Sequence, residues 1–140
     1  MNIKRNISQV GQSLVEFALL LPIMVIFLMV IFDLGRAAYY YSAIHNAARE
    51  GARQGAVRWY DASISTDIRN SVERLTAGLN ADEITISTSW LDLDSNGTNE
   101  TVRVIVTYQF QTATPVLTRL LGQAGNELTL SSRATMRMER

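Results

Sequence analysis

The sequence of 140 residues contains no cysteine, two prolines and a single histidine. The absence of cysteine excludes a disulfide scaffold and a thiolate metal site. The 13 basic and 13 acidic side chains balance, so the chain lacks the basic excess that marks nucleic-acid-binding proteins. An apolar share of 47% is too high for a disordered chain. What remains is one modest domain, alone or with an appendage.

One stretch of the chain is apolar enough to span a membrane. From Leu14 to Phe32, 17 of 19 residues are apolar. As a helix this run is about 28 Å long, close to the roughly 30 Å of bilayer hydrocarbon. Lys4 and Arg5 precede the run, and their charge favours a cytoplasmic N-terminus. We therefore predict a single-pass anchor, with the chain after Asp33 on the far side of the membrane.

A cleaved secretory signal peptide is the alternative interpretation of this region. Signal cores usually contain about 7 to 15 apolar residues and end at a small-residue cleavage site. The present run is longer, and the polar segment 33–36 follows it instead of such a site. An anchor is therefore favoured, with Arg36 and the tyrosines at 39–41 suited to its outer interface.

Glu16 is the only charged residue inside the run. A carboxylate at the bilayer centre costs about 2.5 kcal/mol or more, and less near the end of a helix. Two interpretations follow. Glu16 either lies near the cytoplasmic headgroups, or a partner or processing step compensates for its charge.

The residues around Glu16 carry a resemblance to a known family. The segment from Gly11 to Phe17 resembles the processing site of type IV prepilin-like proteins, which are cut after a glycine and have glutamate fifth in the mature chain. A cut between Gly11 and Gln12 puts Glu16 fifth. The continuation is similar to the TadE-like family, pseudopilins of the tight-adherence (Flp) pilus machinery. Its matching residues are Phe17, Pro22, Asp33, Gly35, Arg36 and the Ala-rich segment 46–53.

The resemblance implies a non-enzymatic minor pilin-like subunit that takes part in assembly of Flp pili, which serve cell adhesion, or of a related secretion filament. Its location would be a bacterial cytoplasmic (inner) membrane. Its partners would be a prepilin peptidase, other pilin or pseudopilin subunits and the pilus assembly platform. No cofactor, nucleic acid or small-molecule substrate is implied. Segment 1–11 would be a cleaved leader, and Glu16 would pair with the new amino group of a neighbouring subunit and fix their stagger.

Two other functional classes compete with this one. An enzyme is disfavoured because H-E-x-x-H, G-x-S-x-G and a Gly-rich phosphate loop are missing and His45 has no evident catalytic partner. The second alternative is a membrane-tethered extracytoplasmic binding or scaffold module that does not polymerise. In such a protein the N-terminus would remain Met1 and Glu16 would have no registry role.

The helical pattern continues beyond the membrane run to about residue 57, without proline. We therefore divide the chain into the leader 1–11, a transmembrane helix 12–33 that continues to about 57, and an external domain 58–140. Ala47, Gly51 and Gly55 form a small-residue seam at four-residue spacing, which lets another backbone approach closely. The seam either packs against other helices of an assembly or lies beneath this domain's own sheet.

The external domain is predicted to be α+β. An apolar stripe at Ile64, Ile68, Val72, Leu75 and Leu79 predicts a second helix over 64–79. Alternating apolar residues then predict three amphipathic strands in one antiparallel sheet, the first two being neighbours joined through a turn at 96–97. A short helical turn over 115–121, begun by proline, precedes the last strand. The long helix and the second helix would cover the sheet, giving a pilin-like fold.

The turn at 92–97 matches the opening of a calcium loop. Its candidate ligands are Asp92, Asp94 and Asn96. Position 12 of such a loop is Arg103, where an EF-hand needs a bidentate glutamate. A polar hairpin turn is therefore favoured, a calcium site stays the weaker alternative, and no other metal is predicted.

Overall fold

The computed structural model describes residues 4–92, 100–122 and 125–138, with side chains from residue 11 onward. The predicted α+β class is confirmed, with a long N-terminal helix, a second helix and a three-stranded antiparallel sheet. In chain order the elements are α1 (Lys4–Val57), α2 (Ile64–Leu75), a 3-10 turn (Ala81–Glu83), β1 (Ile84–Leu91), β2 (Thr101–Gln111), α3 (Pro115–Leu120) and β3 (Glu127–Arg137).

Helix α1 joins the apolar run to the external domain without a break. Its 54 residues span about 80 Å, and the helix continues through Pro22. Up to residue 32 its described side chains are exposed, apart from half-buried Val30. The helix contains the one candidate membrane span among the described residues. From Asp33 onward, one face of the same helix is buried by the external domain.

The buried face of outer α1 consists mainly of alanine and glycine, which lets the sheet and α2 approach closely. Ile44 is its one large fully buried apolar residue, and Ala47, Ala48 and Ala52 beside it are also fully buried. The sheet contributes its inner face, including the wholly buried Phe110. Burying each such large side chain contributes roughly 1.5–3 kcal/mol. The core therefore depends on the helix that also carries the membrane run.

The sheet has the order β1-β2-β3, with both pairs antiparallel. Val104 marks its centre, paired with Thr88 on one side and Ala134 on the other. Even-numbered residues of β2 face the helices and are buried. The predicted pairing of the first two strands is confirmed, whereas the turn at 96–97 lies outside the described residues.

Helix α2 is shorter than the sequence predicted. It ends at Leu75 and not at Leu79, because Gly78 takes a left-handed φ of +97° and the Leu79 N–H donates to the Thr76 carbonyl only three residues back. Leu75, predicted to face the core, is 45% exposed. Ser71 is buried on that face instead. Leu79 still packs against the core, but from the turn after the helix.

The turn between α1 and α2 is held by a polar network around Asp61. The backbone N–H and hydroxyl of Ser63 donate to Asp61 at 2.9 and 2.8 Å, and Arg58 pairs with the same carboxylate. These hydrogen bonds lower the pKa of Asp61 to about 2, and the one from the Ser63 N–H contributes most to that lowering. Arg58 also reaches Asp67 on α2 at 2.8 Å. The network therefore links the end of one helix to the start of the next.

Candidate functional site

The predicted processing residues lie on the exposed N-terminal part of α1. Gln12 Nε2 donates a hydrogen bond to Glu16 Oε1 at 3.1 Å, one helical turn further along. A Cβ added to Gly11 would meet no atom within 4 Å. Phe17 and Pro22 are also exposed. No other element of the described chain packs on this half of α1, so its side chains are available to lipid or to other helices.

Asp33 is the first residue after the apolar run and is fully buried. Its Oδ1 accepts a hydrogen bond from the backbone N–H of Ala113 at 2.9 Å. Its Oδ2 accepts two from Thr114, one from the backbone N–H and one from the hydroxyl, each at 3.0 Å. The carboxylate thus ties α1 to the segment that leads from β2 into α3. This contact joins the end of the apolar run on α1 to the domain.

Arg36 lies one helical turn after Asp33 on α1 and also contacts the Asp33 carboxylate. Its Nη1 lies 3.3 Å from Asp33 Oδ1. Its guanidinium lies over the ring of Phe110, 5.0 Å from the centroid, and 5.8 Å from that of Tyr40. Cation–π contacts of this kind contribute about 0.5–1 kcal/mol at exposed sites and more when desolvated. Arg36 therefore lies against the domain and is not extended toward lipid headgroups.

The three tyrosines predicted at the outer membrane interface separate in the structure. Tyr39 and Tyr41 are exposed, whereas Tyr40 turns into the domain. Its ring meets Tyr108 and Phe110 edge to face, at 5.4 and 5.6 Å between centroids. Burial raises the pKa of Tyr108 within this aromatic cluster. Tyr40 thus belongs to the core, because its position on α1 faces the sheet.

Gly35 is exposed, and a Cβ there would meet no atom within 4 Å. It lies in an open groove of about 480 Å³ beside the end of the apolar run on α1. Ile31 and Phe32 line one part of this groove, and Tyr39 and Gly78 line another. Nothing in this chain therefore requires glycine at position 35.

The small-residue seam faces the chain's own domain. Ala47, Gly51 and Gly55 are all buried. A Cβ on Gly51 would lie 3.2 Å from Val72 on α2, and one on Gly55 would lie 2.9 Å from Val102 on β2. Of the two alternatives, these contacts favour packing beneath the sheet. The alternative, an interface with other subunits, stays an untested prediction.

The remaining candidates are structural or lie outside the described chain. Half-buried His45 shares a hydrogen bond with Ser132, 3.1 Å from Nδ1 to Oγ. Asp92 is half-buried, while Asp94 and Asn96 fall in the gap 93–99 of the described residues. Within the described ranges, no three histidine, aspartate or glutamate side chains come together as a metal site. The calcium alternative stays an untested prediction.

These features define a class: an α+β protein whose long N-terminal helix contains a candidate membrane span and is also the main helix of the core. Residues 11–53 match the family model described as TadE-like protein. The match confirms the TadE-like resemblance, and it indicates involvement in tight-adherence pilus systems, since this is a pilus-associated structural family. No curated protein and no solved structure gives a significant match to the chain.

Sequence reasoning named Asp33 and Arg36 but missed their partners. Thr114 and Phe110 are about eighty residues away, and no pattern near Asp33 indicates them. A signal did exist in the other segment, where Thr114 precedes Pro115. A threonine before proline is typical of a helix start, and the backbone N–H groups of the segment that enters the helix need an acceptor.

Proposed function

We propose that this chain is a minor pilin-like subunit that takes part in assembly of tight-adherence pili or a related filament. The observation that carries the proposal is the division of α1. Its outer half is packed into a domain, while its apolar half, with the prepilin-like segment at its start, has no other element of the described chain against it. An exposed apolar helix fits insertion in a membrane followed by packing among other helices.

The proposal assigns roles to the parts of the chain. Residues 1–11 serve as a leader that a prepilin peptidase removes at Gly11, and the N-terminus is cytoplasmic until assembly. Residues 12–33 cross the inner membrane, and α1 continues to residue 57 as the support of the external domain 58–140. Other pilin subunits and the assembly platform contact the apolar helix and the outer surface of the domain.

Processing is the first test of this proposal. In cells with an active prepilin peptidase, the membrane-extracted chain should have the intact mass of a protein that begins at Gln12. A Gly11→Val change should leave the full-length mass, because a branched side chain crowds the backbone at the cut. Gly35→Val is the matched control and should be processed normally. A wild-type chain that keeps its leader in such cells would exclude the pseudopilin role and favour the tethered module.

The registry role of Glu16 is the second test. Glu16→Ala should lower incorporation into purified assemblies at least about tenfold, since losing even 1.4 kcal/mol of pairing reduces an association constant by that factor. Glu50→Ala removes a carboxylate from the outer part of α1 and should incorporate normally. Intact mass must first establish that both variants are processed. Equal incorporation of Glu16→Ala and wild type would refute the registry role.

A further inference from the structure

The start of α3 lies level with the end of the membrane run. Phe32 is the last residue of that run, and the next residue, Asp33, binds the backbone and hydroxyl of Thr114 at 3.0 Å. Thr114 is the N-cap of α3. These short hydrogen bonds place Thr114 at the same level as Asp33 along the axis of α1. The beginning of α3 is therefore at the outer boundary of the hydrocarbon.

The described residues of the connection between β2 and β3 lie at this end of the domain. Phe110 pairs with Leu128 and Gln111 with Glu127, and beyond them the Thr112 N–H donates to the Asn126 carbonyl at 2.8 Å. The six residues of α3 extend about 9 Å from Thr114. The headgroup layer on each side of a bilayer is roughly 5–7 Å thick. Much of α3 therefore lies within or beside that layer.

The side chains that α3 exposes are those expected of a lipid contact. Leu117 and Thr118 are buried against the domain. Leu120, the last residue of α3, is 76% exposed, and Leu121, its C-cap, is 56% exposed. Among the large apolar side chains of the described residues, none is more exposed than Leu120, and Phe32 inside the membrane run reaches 75%. Arg119, next to Leu120 in the chain, is also exposed.

We infer that α3 is a second membrane contact of this protein. Leu120 and Leu121 enter the interfacial layer of the outer leaflet, and Arg119 binds lipid phosphate groups. Burying an exposed leucine in an apolar layer is favourable, and a neighbouring cation adds attraction to anionic lipids. With α1 spanning the bilayer and α3 resting on it, the external domain keeps one orientation toward the membrane. The inference rests on the membrane span and not on pilus assembly.

The lack of cysteine makes site-specific spin labelling straightforward. The full-length chain is reconstituted at low density in vesicles of phosphatidylethanolamine and phosphatidylglycerol, with one nitroxide on Leu120→Cys or Leu121→Cys. Accessibility to oxygen, which concentrates in lipid, is compared with accessibility to a water-soluble nickel chelate. Met24→Cys, within the span, is the lipid control. Tyr60→Cys is the aqueous control, because it lies beyond Val57, about 37 Å along α1 from Phe32.

The expected result is an oxygen-to-nickel ratio at 120 and 121 severalfold above that at 60 and below or near that at 24. Adding Arg119→Glu should lower the ratio at 120 toward the aqueous value. Aqueous values at 120 and 121, with a lipid value at 24, would overturn the inference and leave the span intact. Protection from both reagents would also overturn it, because protein would then cover α3. An aqueous value at 24 would overturn the span and the inference together.

Discussion

Asp33→Ala is expected to lower the free energy of unfolding of the external domain by about 2–4 kcal/mol, because it removes a buried acceptor and leaves its donors unpaired. The backbone N–H groups of Ala113 and Thr114 would lose their acceptor, and Arg36 would lose its ion pair. Asp33→Asn should be destabilising as well, since its amide NH2 would face at least one of these donors. Urea unfolding of the full-length chain in detergent, followed by the fluorescence of half-buried Trp90, measures the change.

Asp82→Asn is the control for this experiment. Asp82 is exposed in the 3-10 turn, so this change, the same as in Asp33→Asn, should alter the free energy of unfolding by less than about 0.5 kcal/mol. Arg36→Gln should have an effect between the two, because it removes the ion pair and the contact with Phe110 but keeps the three hydrogen bonds from Ala113 and Thr114. Wild-type stability of Asp33→Ala would mean that the contact does not hold the domain on α1.

Gly55→Val should destabilise the domain by about 2–3 kcal/mol through overpacking. Even the Cβ atom would lie 2.9 Å from Val102 Cγ2 and 3.2 Å from Ile68 Cδ1, so the sheet and α2 must move away from α1. The same unfolding measurement in detergent applies. Gly35→Val is the matched control, since it makes the same change in the same helix where a Cβ meets nothing within 4 Å. Its stability should stay within about 1 kcal/mol of wild type.

The Gly55 variant also separates the two roles considered for the small-residue seam. If the seam serves the fold, Gly55→Val weakens the isolated chain. If instead the seam forms contacts between subunits, the isolated chain keeps its stability and only its incorporation into assemblies is lowered. That second pattern would contradict the packing described for Gly51 and Gly55.

Much of the fold could be predicted because the spacing of apolar residues in the sequence indicates which side chains are buried. The end of α1 at Val57 and the three strands follow from residue types and alternation alone. The end of α2 could not be predicted in this way. Leu79 continues the apolar spacing, although the helix has already ended before Thr76 and Gly78. A stripe of leucines indicates contact with a core, but not whether the contact comes from a helix or from the turn after it.

The candidate site was harder to predict because its chemistry depends on distant partners. An aspartate after an apolar run has the same local sequence whether it faces water or accepts three hydrogen bonds, as Asp33 does. Glycine spacing is equally ambiguous. Gly51 and Gly55 allow close approach of any backbone, and only the fold decides that the approaching elements are α2 and β2.

Because α1 is one continuous helix, the apolar run and the outer half of the helix move together. From Phe32 to Val57 the helix has no proline, and the domain packs along it without a hinge. A tilt of the span by about 10° therefore moves the far end of the helix by about 6 Å. With the apolar run in a bilayer, as we propose, a rearrangement of helices there would displace the exposed Trp59 and Tyr60 just beyond the far end of α1.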